Sequence, residues 1–564
     1  MSNWKILGKI KKKNLPEREE ETIGVLLKNR KITSSEEKNF FNPPNPLEIK
    51  LEKIGLDGKE INKAVKRIKA AIKNNESIVI FGDYDADGIC ATAILWEVLN
   101  KFTKKVMPYL PHRLEEGYGL SIKGIDAIIK DYQAKLIITV DCGITAQEAV
   151  LYAKKNNVDV IVTDHHLPPP KKPKAVGIIH STKISGAAVA WFFARELVNH
   201  LGDGKKDLQE KLSLVAIGTV SDVLPLLGTN RSLVFWGLES LRKTQRPGLK
   251  ALFQDAGIKA LEIDSYHIAF VIGPRINATG RLTHALDSLR LLCTKSFLRG
   301  KELASKLGFT NRQRQKITEE TFFHAADYLE KTGRSKKEKL IFISHQSYNQ
   351  GVIGLVAGKL AEKYYRPTIV ISEGETYSKA SARSIAGLNI ISAIRETSQL
   401  LVDCGGHPMA AGFTVETVKI RKLKKKLTEI IEEKLTDDLL IKSIKVDCEV
   451  TLSDLTLSIY KKLEKFKPFG FGNPEPLFTT KDLTILEARL VGKGGKHLKL
   501  RLADGQEKEI NAIAFGKGEL YSKLNIKSER SLMIDIVYTL TINDWNGERL
   551  ELKIKDLIPG LVQK

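Results

Sequence analysis

At 564 residues the chain exceeds what a single hydrophobic core accommodates, and its length predicts three or four domains. With 42% hydrophobic and 28% charged residues the composition is that of a globular protein, which excludes disordered and membrane-embedded classes. The balance of 90 Lys and Arg against 67 Asp and Glu, a formal charge of +23, points to a polyanionic partner, nucleic acid first and an anionic membrane surface second. Lysine spread evenly over every surface would give the same balance, so charge by itself decides little.

Residues 1–55 are charged and proline-containing ("NPPNPLEIK") and read as a lead-in. Their opening, "MSNWKILGKIKKKNLPEREEE", has no apolar h-region, and no later stretch reaches the roughly 18 apolar residues of a membrane span, so a cytoplasmic location is expected. Residues 56–310 form the first large region. From about 75 to 180, short β-rich runs ("SIVIF", "KVMPYL", "KLIITV", "VDVIVT", "AVGIIH") alternate with helical stretches, the βαβ pattern of a parallel, helix-covered sheet. From 180 to 330 the strand signal gives way to helices, and 311–335 reads as a long connector helix ending in a lysine-rich break. A second α/β unit follows over 336–435, with "KLIFIS" and "PTIVIS" flanking the helix "GVIGLVAGKLAEKY". The span 436–564 turns β-rich, with turn signals at Asp504-Gly505 and Asn546-Gly547, and predicts a small barrel. The five cysteines (Cys90, Cys142, Cys293, Cys404, Cys448) are far apart without C-x-x-C and read as small buried thiols.

Ligands of open α/β sheets bind beyond the carboxyl ends of the strands, so polar residues just after each strand are the ones to collect. "SIVIF" is followed by Asp83, Asp85 and Asp87, "LIITV" by Asp141, and "VDVIV" by Asp164, His165 and His166, while the helical "GTVSDVLPL" contributes Asp222. Carboxylates and imidazoles converging on one crevice suit Mn²⁺ or Mg²⁺, with imidazole favouring Mn²⁺. An EF-hand reading of D-x-D-x-D-G fails, because the twelfth position from Asp83 is Ile94 and a strand stands where a helix is required. Helix capping would explain any single Asp here; four acidic turns on consecutive elements are harder to explain that way. Two divalent ions on such a set imply in-line hydrolysis of a phosphoester. "GLVAGK" (354–359) has the wrong spacing for a P-loop, which argues against a nucleotide-driven motor.

"DYDADG", "VDCG", "TDHH" and "GTVSDVLPL", in this order, resemble the DHH phosphoesterase family, and within it the single-strand-specific exonuclease branch. "GPRINATGRL" (273–282), "QGVIGLVAGKLAEKYYRP" (350–367), "SARSIAGLNI" (381–390), "CGGHPMAAGF" (404–413) and "FKPFGFGNPEPLF" (466–478) extend the likeness over nearly the whole chain. The resemblance implies a parallel-sheet DHH domain over 56–310, a DHH-associated domain over 336–435 and an OB-fold domain over 436–564. It implies that Asp85, Asp87, Asp141, His165 and Asp222 hold two Mn²⁺ or Mg²⁺ ions, with Asp141 as bridge and Asp83, Asp164 and His166 as close supporters of catalysis. Arg275, Asn277 and Arg281 are the implied phosphate contacts in the first lobe; Ser381, Arg383 and Ser384 with Gly405, Gly406 and His407 are those of the second, holding the 5′-terminal part of the strand.

Relatives commonly carry Trp-His where this chain has Tyr348-Asn349, so Asn349 is left out of the site. The segment between "AVGIIH" and "SGAAVAWFF" is also short for the family. The lysine cluster "GKGGKHLKLRL" (492–502) with Phe515, Tyr538 and Trp545 supplies the candidate strand-binding surface of the barrel, although aromatics in strands are more often core than platform.

The activity implied is a 5′→3′ single-stranded-DNA exonuclease releasing mononucleotides, in recombination and repair. Single-stranded DNA is the expected partner, with a single-strand-binding protein and a RecQ-type helicase beside it, no membrane, and a monomeric state. Two alternatives remain at this stage. A non-catalytic binding scaffold would lack the acidic set, which is complete here. A phosphodiesterase of short oligonucleotides would not need the +23 charge or the extra β-rich domain.

Overall fold

In a computed structural model of the chain, the residues described are 3–12, 14–113, 116–117, 119–202, 205–505, 508–524, 533–543 and 548–559. Trp545 and the Asn546-Gly547 turn lie outside them. The chain divides into two units, one built from 49–222 and 236–442, the other from 1–48, 223–235 and 443–564.

The first unit begins with a five-stranded, all-parallel sheet in the spatial order Val106–Tyr109, Ile78–Gly82, Leu136–Val140, Asp159–Asp164, Gly177–His180. The runs "IVIFG" and "LIITV" are buried along their whole length because helices cover both faces, which is why they read as continuous apolar stretches rather than alternating ones. Helix Ala86–Phe102 leaves the first of these strands; helices Gly186–Leu201 and Lys205–Ser221 pack against it. A helix of 35 residues, Phe297–Lys331, then runs toward the second sheet. It starts well before the expected connector at 311, since Ser296 caps it and Leu303, Ala304 and Leu307 bury one face against the first lobe's helices.

The second sheet of this unit has the order Leu401–His407, Ala410–Glu416, Tyr377–Arg383, Thr368–Ser372, Ile341–His345. Its last two strands are parallel and flank helix Ile353–Tyr364, as the sequence predicts, and the other pairs are antiparallel.

In the other unit, strands Phe478–Val491, His497–Ala503, Glu509–Ala514, Arg549–Pro559 and Met533–Asn543 close into a barrel, because the last pairs back onto the first. Tyr538 is fully buried there with its hydroxyl 2.8 Å from Thr480 Oγ1, so it belongs to the core. Phe515 is 56% exposed against the His497 ring. Residues 1–48 form part of the same body: Ile23, Leu26, Leu27 and Phe40 enter the barrel's own hydrophobic core, and Asn3–Ile6 pairs with Ser443–Val446. Residues 223–235 add Arg231, fully buried over the Phe40 ring and donating to the carbonyls of Phe40, Phe466 and Lys467.

Candidate metal centre and phosphate face

The acidic residues gather at the carboxyl edge of the parallel sheet, where chain direction alone puts them. Asp83 leaves its strand buried, with Oδ1 accepting from the Tyr84 N–H at 2.8 Å. Asp85 caps the following helix, its Oδ1 accepting from the N–H groups of Asp87 and Gly88, both at 3.0 Å. Asp87 reaches the start of helix Gly186–Leu201, where its two oxygens accept from Gly186 N–H at 2.7 Å and Ala187 N–H at 2.9 Å. Asp141 sits in the left-handed region with φ 60°, which turns its carboxylate back over the sheet edge. A side chain at Gly186 would collide with that carboxylate, and one at Gly218 with Asp87, so both glycines keep space for the acidic groups.

His165 is the hub. Its Nε2 lies 3.1 Å from Asp141 Oδ1, 3.5 Å from Asp222 Oδ2 and 3.9 Å from Asp87 Oδ2. Three groups of ligand atoms lie close enough together to hold an ion: Asp141 with His165 and His166, Asp87 with His165 and Asp222, and Asp83 with Asp85 and Asp141. Asp141 is shared between the first and third groups, and His165 between the first and second. The structure thereby adds Asp83 and His166, expected as supporters, to the potential ligand atoms.

The electrostatics explain why cations fit. Burial, with the negative charges of Asp87, Asp85 and Asp83, drives Asp141 well above the ordinary carboxylate range, and burial with Asp85 does the same to Asp83. Burial and Asp85 push Asp87 up to about 7; burial and Asp87 push Asp222 up to about 8. These carboxylates resist being ionised together unless positive charge joins them. Burial, reinforced by His166, lowers His165 to about 4, leaving a neutral imidazole suited to ligation. Asp141 Oδ1 is buried without a hydrogen bond, the orphaned acceptor a cation would satisfy. This donor set of carboxylate oxygens plus one neutral imidazole matches Mn²⁺ or Mg²⁺.

Asp164 points elsewhere. It accepts from the N–H groups of Ile144 (2.9 Å), His165 (2.7 Å) and His166 (3.1 Å), and lies 2.8 Å from His166 Nδ1. Burial opposes its ionisation, but the His166 bond and charge outweigh it and hold Asp164 below the ordinary range. His166 is in turn lifted to about 9 by Asp164 against the pull of burial. The pair thus holds positive charge beside the acidic cluster, which an ion on His166 would replace.

Next to the acids stands a cationic face. Asn277 Oδ1 accepts from Ala86 N–H at 2.7 Å, tying helix Gly273–Leu282 to the first turn of the Asp85-capped helix. Arg281 donates to the Gly351 carbonyl at 3.2 Å, and burial together with Arg113, Arg314 and Arg383 lowers it to about 10. Arg383 Nη1 lies 3.4 Å from Ser381 Oγ, and the absence of a side chain at Gly354 leaves room for both. His407 is close enough to His165 to contribute to its lowered pKa.

Two expected phosphate contacts also have partners within the protein. Arg275 lies 3.7 Å from Asp255 and donates to the Val271 carbonyl at 3.1 Å, and the buried Ser384 hydroxyl donates to the Leu388 carbonyl at 2.7 Å. Gly405 and His407 are exposed, and Gly406 has φ 141° with no room for a side chain against Ala410. Asn349 accepts from Gly351 N–H at 2.8 Å and so shapes the loop whose carbonyl receives Arg281.

Residues 77–219 match the DHH family, N-terminal domain, and 337–433 match the DHHA1 domain, so fold and site together define a DHH phosphoesterase architecture. Residues 446–556 match the RecJ OB domain. The chain is 35% identical to the single-stranded-DNA-specific exonuclease RecJ of Bacillus subtilis over 88% of its length, spanning 63% of that protein. It is 32% identical to RecJ of Escherichia coli over 88% of the chain and 90% of that relative. The crystal structure of RecJ from Thermus thermophilus in complex with Mn²⁺ superposes with a TM-score of 0.81 at 27% identity, covering 99% of this chain and 79% of that one. The chain belongs to the RecJ family. No described helix is long and apolar enough to cross a membrane.

Proposed function

We propose that the chain is a single-stranded-DNA-specific exonuclease that hydrolyses phosphodiester bonds from the 5′ end to release 5′-mononucleotides during recombination and repair. The observation that carries this reading is the sharing of Asp141 between two groups of ligand atoms at the sheet's carboxyl edge. Asp85, Asp87, Asp141, His165 and Asp222 would hold two Mn²⁺ or Mg²⁺ ions, Asp141 bridging them, with Asp83 supporting. When bound, such a pair lowers the pKa of a water nucleophile and neutralises charge developing on the phosphoryl oxygens.

The chain's own residues supply the rest. Asp164 keeps the His166 imidazolium available to a phosphate oxygen. Asn277 and Arg281 flank the acidic cluster from the first lobe, and Ser381, Arg383 and the Gly405–His407 end of strand Leu401–His407 offer donors from the second for the strand's terminal phosphate. The barrel's lysines and the exposed Phe515 suit binding of a single strand. A single-strand-binding protein and a RecQ-type helicase, which coat and expose such strands, are the partners this activity calls for. The complete acidic set favours catalysis over a binding scaffold.

The test is metal-dependent digestion of single-stranded DNA labelled at either end, beside a blunt duplex, with Asp141→Ala as control. Stepwise release of mononucleotides from the 5′ end of the single strand, requiring Mn²⁺ or Mg²⁺ and lost in the variant, is expected. Binding of the strand without cleavage under either metal would overturn the enzymatic reading.

A further inference from the structure

The chain leaves the first unit for the barrel unit at the peptide between Asp222 and Val223, directly after a residue of the acidic cluster. Asp222 follows helix Lys205–Ser221, its N–H donating to the Gly218 carbonyl at 2.9 Å. Its carboxylate is held less firmly than that of Asp87. Asp87 accepts from two backbone N–H groups, whereas among the described residues the Asp222 carboxylate accepts from none and has His165 Nε2 3.5 Å away. Where that carboxylate lies is therefore set by the backbone on either side of it. Val223 has φ 58°, and among the described residues it is the one β-branched side chain with a positive φ, a conformation that its branched Cβ opposes. The side chain is 61% exposed, so packing does not repay the strain, and glycine or asparagine would make a plain turn here at lower cost. Beyond Val223 the chain is anchored within the barrel unit. The Leu226 N–H donates to the Phe471 carbonyl at 2.7 Å, Pro225 and Leu226 fit against Gly472 and Gly470, where side chains would collide with them, and Arg231 is fixed by the carbonyls described above. Val223 is thus constrained from both ends, by the helix before it and by the anchored segment after it.

We propose that Val223 is a positioning residue, a stiff link through which the barrel unit sets the place of the Asp222 carboxylate and with it the affinity of the group Asp87, His165 and Asp222 for a divalent cation. The proposal rests on the nuclease reading above, in which Asp222 is a metal ligand, and deepens it by making metal affinity depend on a segment of the barrel unit. Branching at Cβ narrows the backbone freedom of residue 223, so a shift of Pro225 passes on to Asp222, whereas a glycine would absorb it. The coupling is reciprocal: a cation that fixes Asp222 also steadies the segment 223–227.

Full-length wild type, Val223→Gly, Val223→Ile, Gly472→Ala and the double variant Val223→Gly with Gly472→Ala should be titrated with Mn²⁺ by calorimetry in the absence of DNA. Without metal, Val223→Gly should melt no lower than wild type, because strain is relieved and little packing is lost. It should nevertheless bind Mn²⁺ about 10-fold more weakly, and Val223→Ile, which keeps the branch, should bind as wild type does. Gly472→Ala presses on Pro225 from inside the barrel unit. It should weaken Mn²⁺ binding by about the same factor alone, and by less than about 2-fold in the Val223→Gly background, the non-additivity that a shared link requires. Leu226→Ala takes its place in the cycle if Gly472→Ala does not fold. Mn²⁺ should also slow amide exchange over residues 224–227 in wild type and leave it unchanged in Val223→Gly. In digestion of single strands at limiting Mn²⁺, Val223→Gly should lower kcat with KM unchanged, since the groups that hold the strand are untouched. A Mn²⁺ affinity of Val223→Gly within about 2-fold of wild type, or an equal effect of Gly472→Ala in both backgrounds, would overturn the proposal. An intact cycle in a wild-type protein that cleaves no single strand would instead overturn the nuclease reading alone.

Discussion

Replacing Glu97 by glutamine tests whether the helices that carry the acidic cluster are held together by a buried ionic clamp. Arg246 donates to both oxygens of Glu97 (2.6 and 2.8 Å) and both oxygens of Glu210 (2.6 and 2.8 Å), while Lys211 Nζ lies 2.7 Å from Glu97. The clamp joins helix Ala86–Phe102, which starts beside Asp85, to helix Lys205–Ser221, which ends beside Asp222. Burial would raise the Glu97 pKa, but Arg246 and Lys211 outweigh it and bring it from 4.5 down to about 2. That depression corresponds to about 3 kcal/mol of folding free energy, which matches the roughly 3–5 kcal/mol typical of breaking a buried ion pair. Because the folded pKa lies below the unfolded one, this stability is fully present above about pH 4.5 and is lost as the pH falls toward 2. The assay is amide hydrogen exchange of residues 86–102 from neutral pH down to about pH 3, with urea melts read from the same helix. Glu97→Gln should lower local stability by about 3 kcal/mol at neutral pH and remove the acid-side loss contributed by this group. A change under about 0.5 kcal/mol at neutral pH, the range of an ordinary surface substitution, with an unaltered acid slope would refute the reasoning.

Three further outcomes are expected. Asp141→Asn, chosen because asparagine tolerates the left-handed backbone, should weaken Mn²⁺ binding on the order of 100-fold by calorimetry while raising the metal-free melting temperature, since one repelling carboxylate is gone. Gly186→Ala should destabilise the first unit by roughly 1–3 kcal/mol and impair metal binding, because the added methyl collides with Asp141; denaturant melts and Mn²⁺ titration check both. In the other unit, Arg231→Met should free the carbonyls of Phe40, Phe466 and Lys467 and cost roughly 2–4 kcal/mol, seen as faster exchange around residues 34–41 and 457–464.

Much of the architecture was legible because local patterns and chain direction carry it. Strands buried on both faces must be apolar throughout, so the parallel sheet announces itself, and residues following a strand lie at its carboxyl edge whatever the later packing. That rule was enough to collect Asp83, Asp85, Asp87, Asp141, Asp164, His165 and His166, and the acidic end of the helical "GTVSDVLPL" added Asp222. The lead-in at 1–55 was harder to read. Helix Leu15–Asn29 is so rich in charge that the i, i+3, i+4 set Ile23, Leu26 and Leu27 is easily overlooked, yet it buries those residues in the barrel's core.

What only the tertiary structure decided are the contacts made across long sequence separations. Arg246 meets Glu97 across 149 positions, Arg231 meets Phe466 across 235, and Arg281 meets Gly351 across 70. An isolated arginine carries no periodicity and no turn signal to name its partner, so neither the clamp nor the engagement of Arg275 with Asp255 could be read in advance. Composition, strand pattern and motif order thus determined the sheet, the acidic centre and the class of chemistry. Packing alone decided which charges pair, because pairing depends on distance in space and not along the chain.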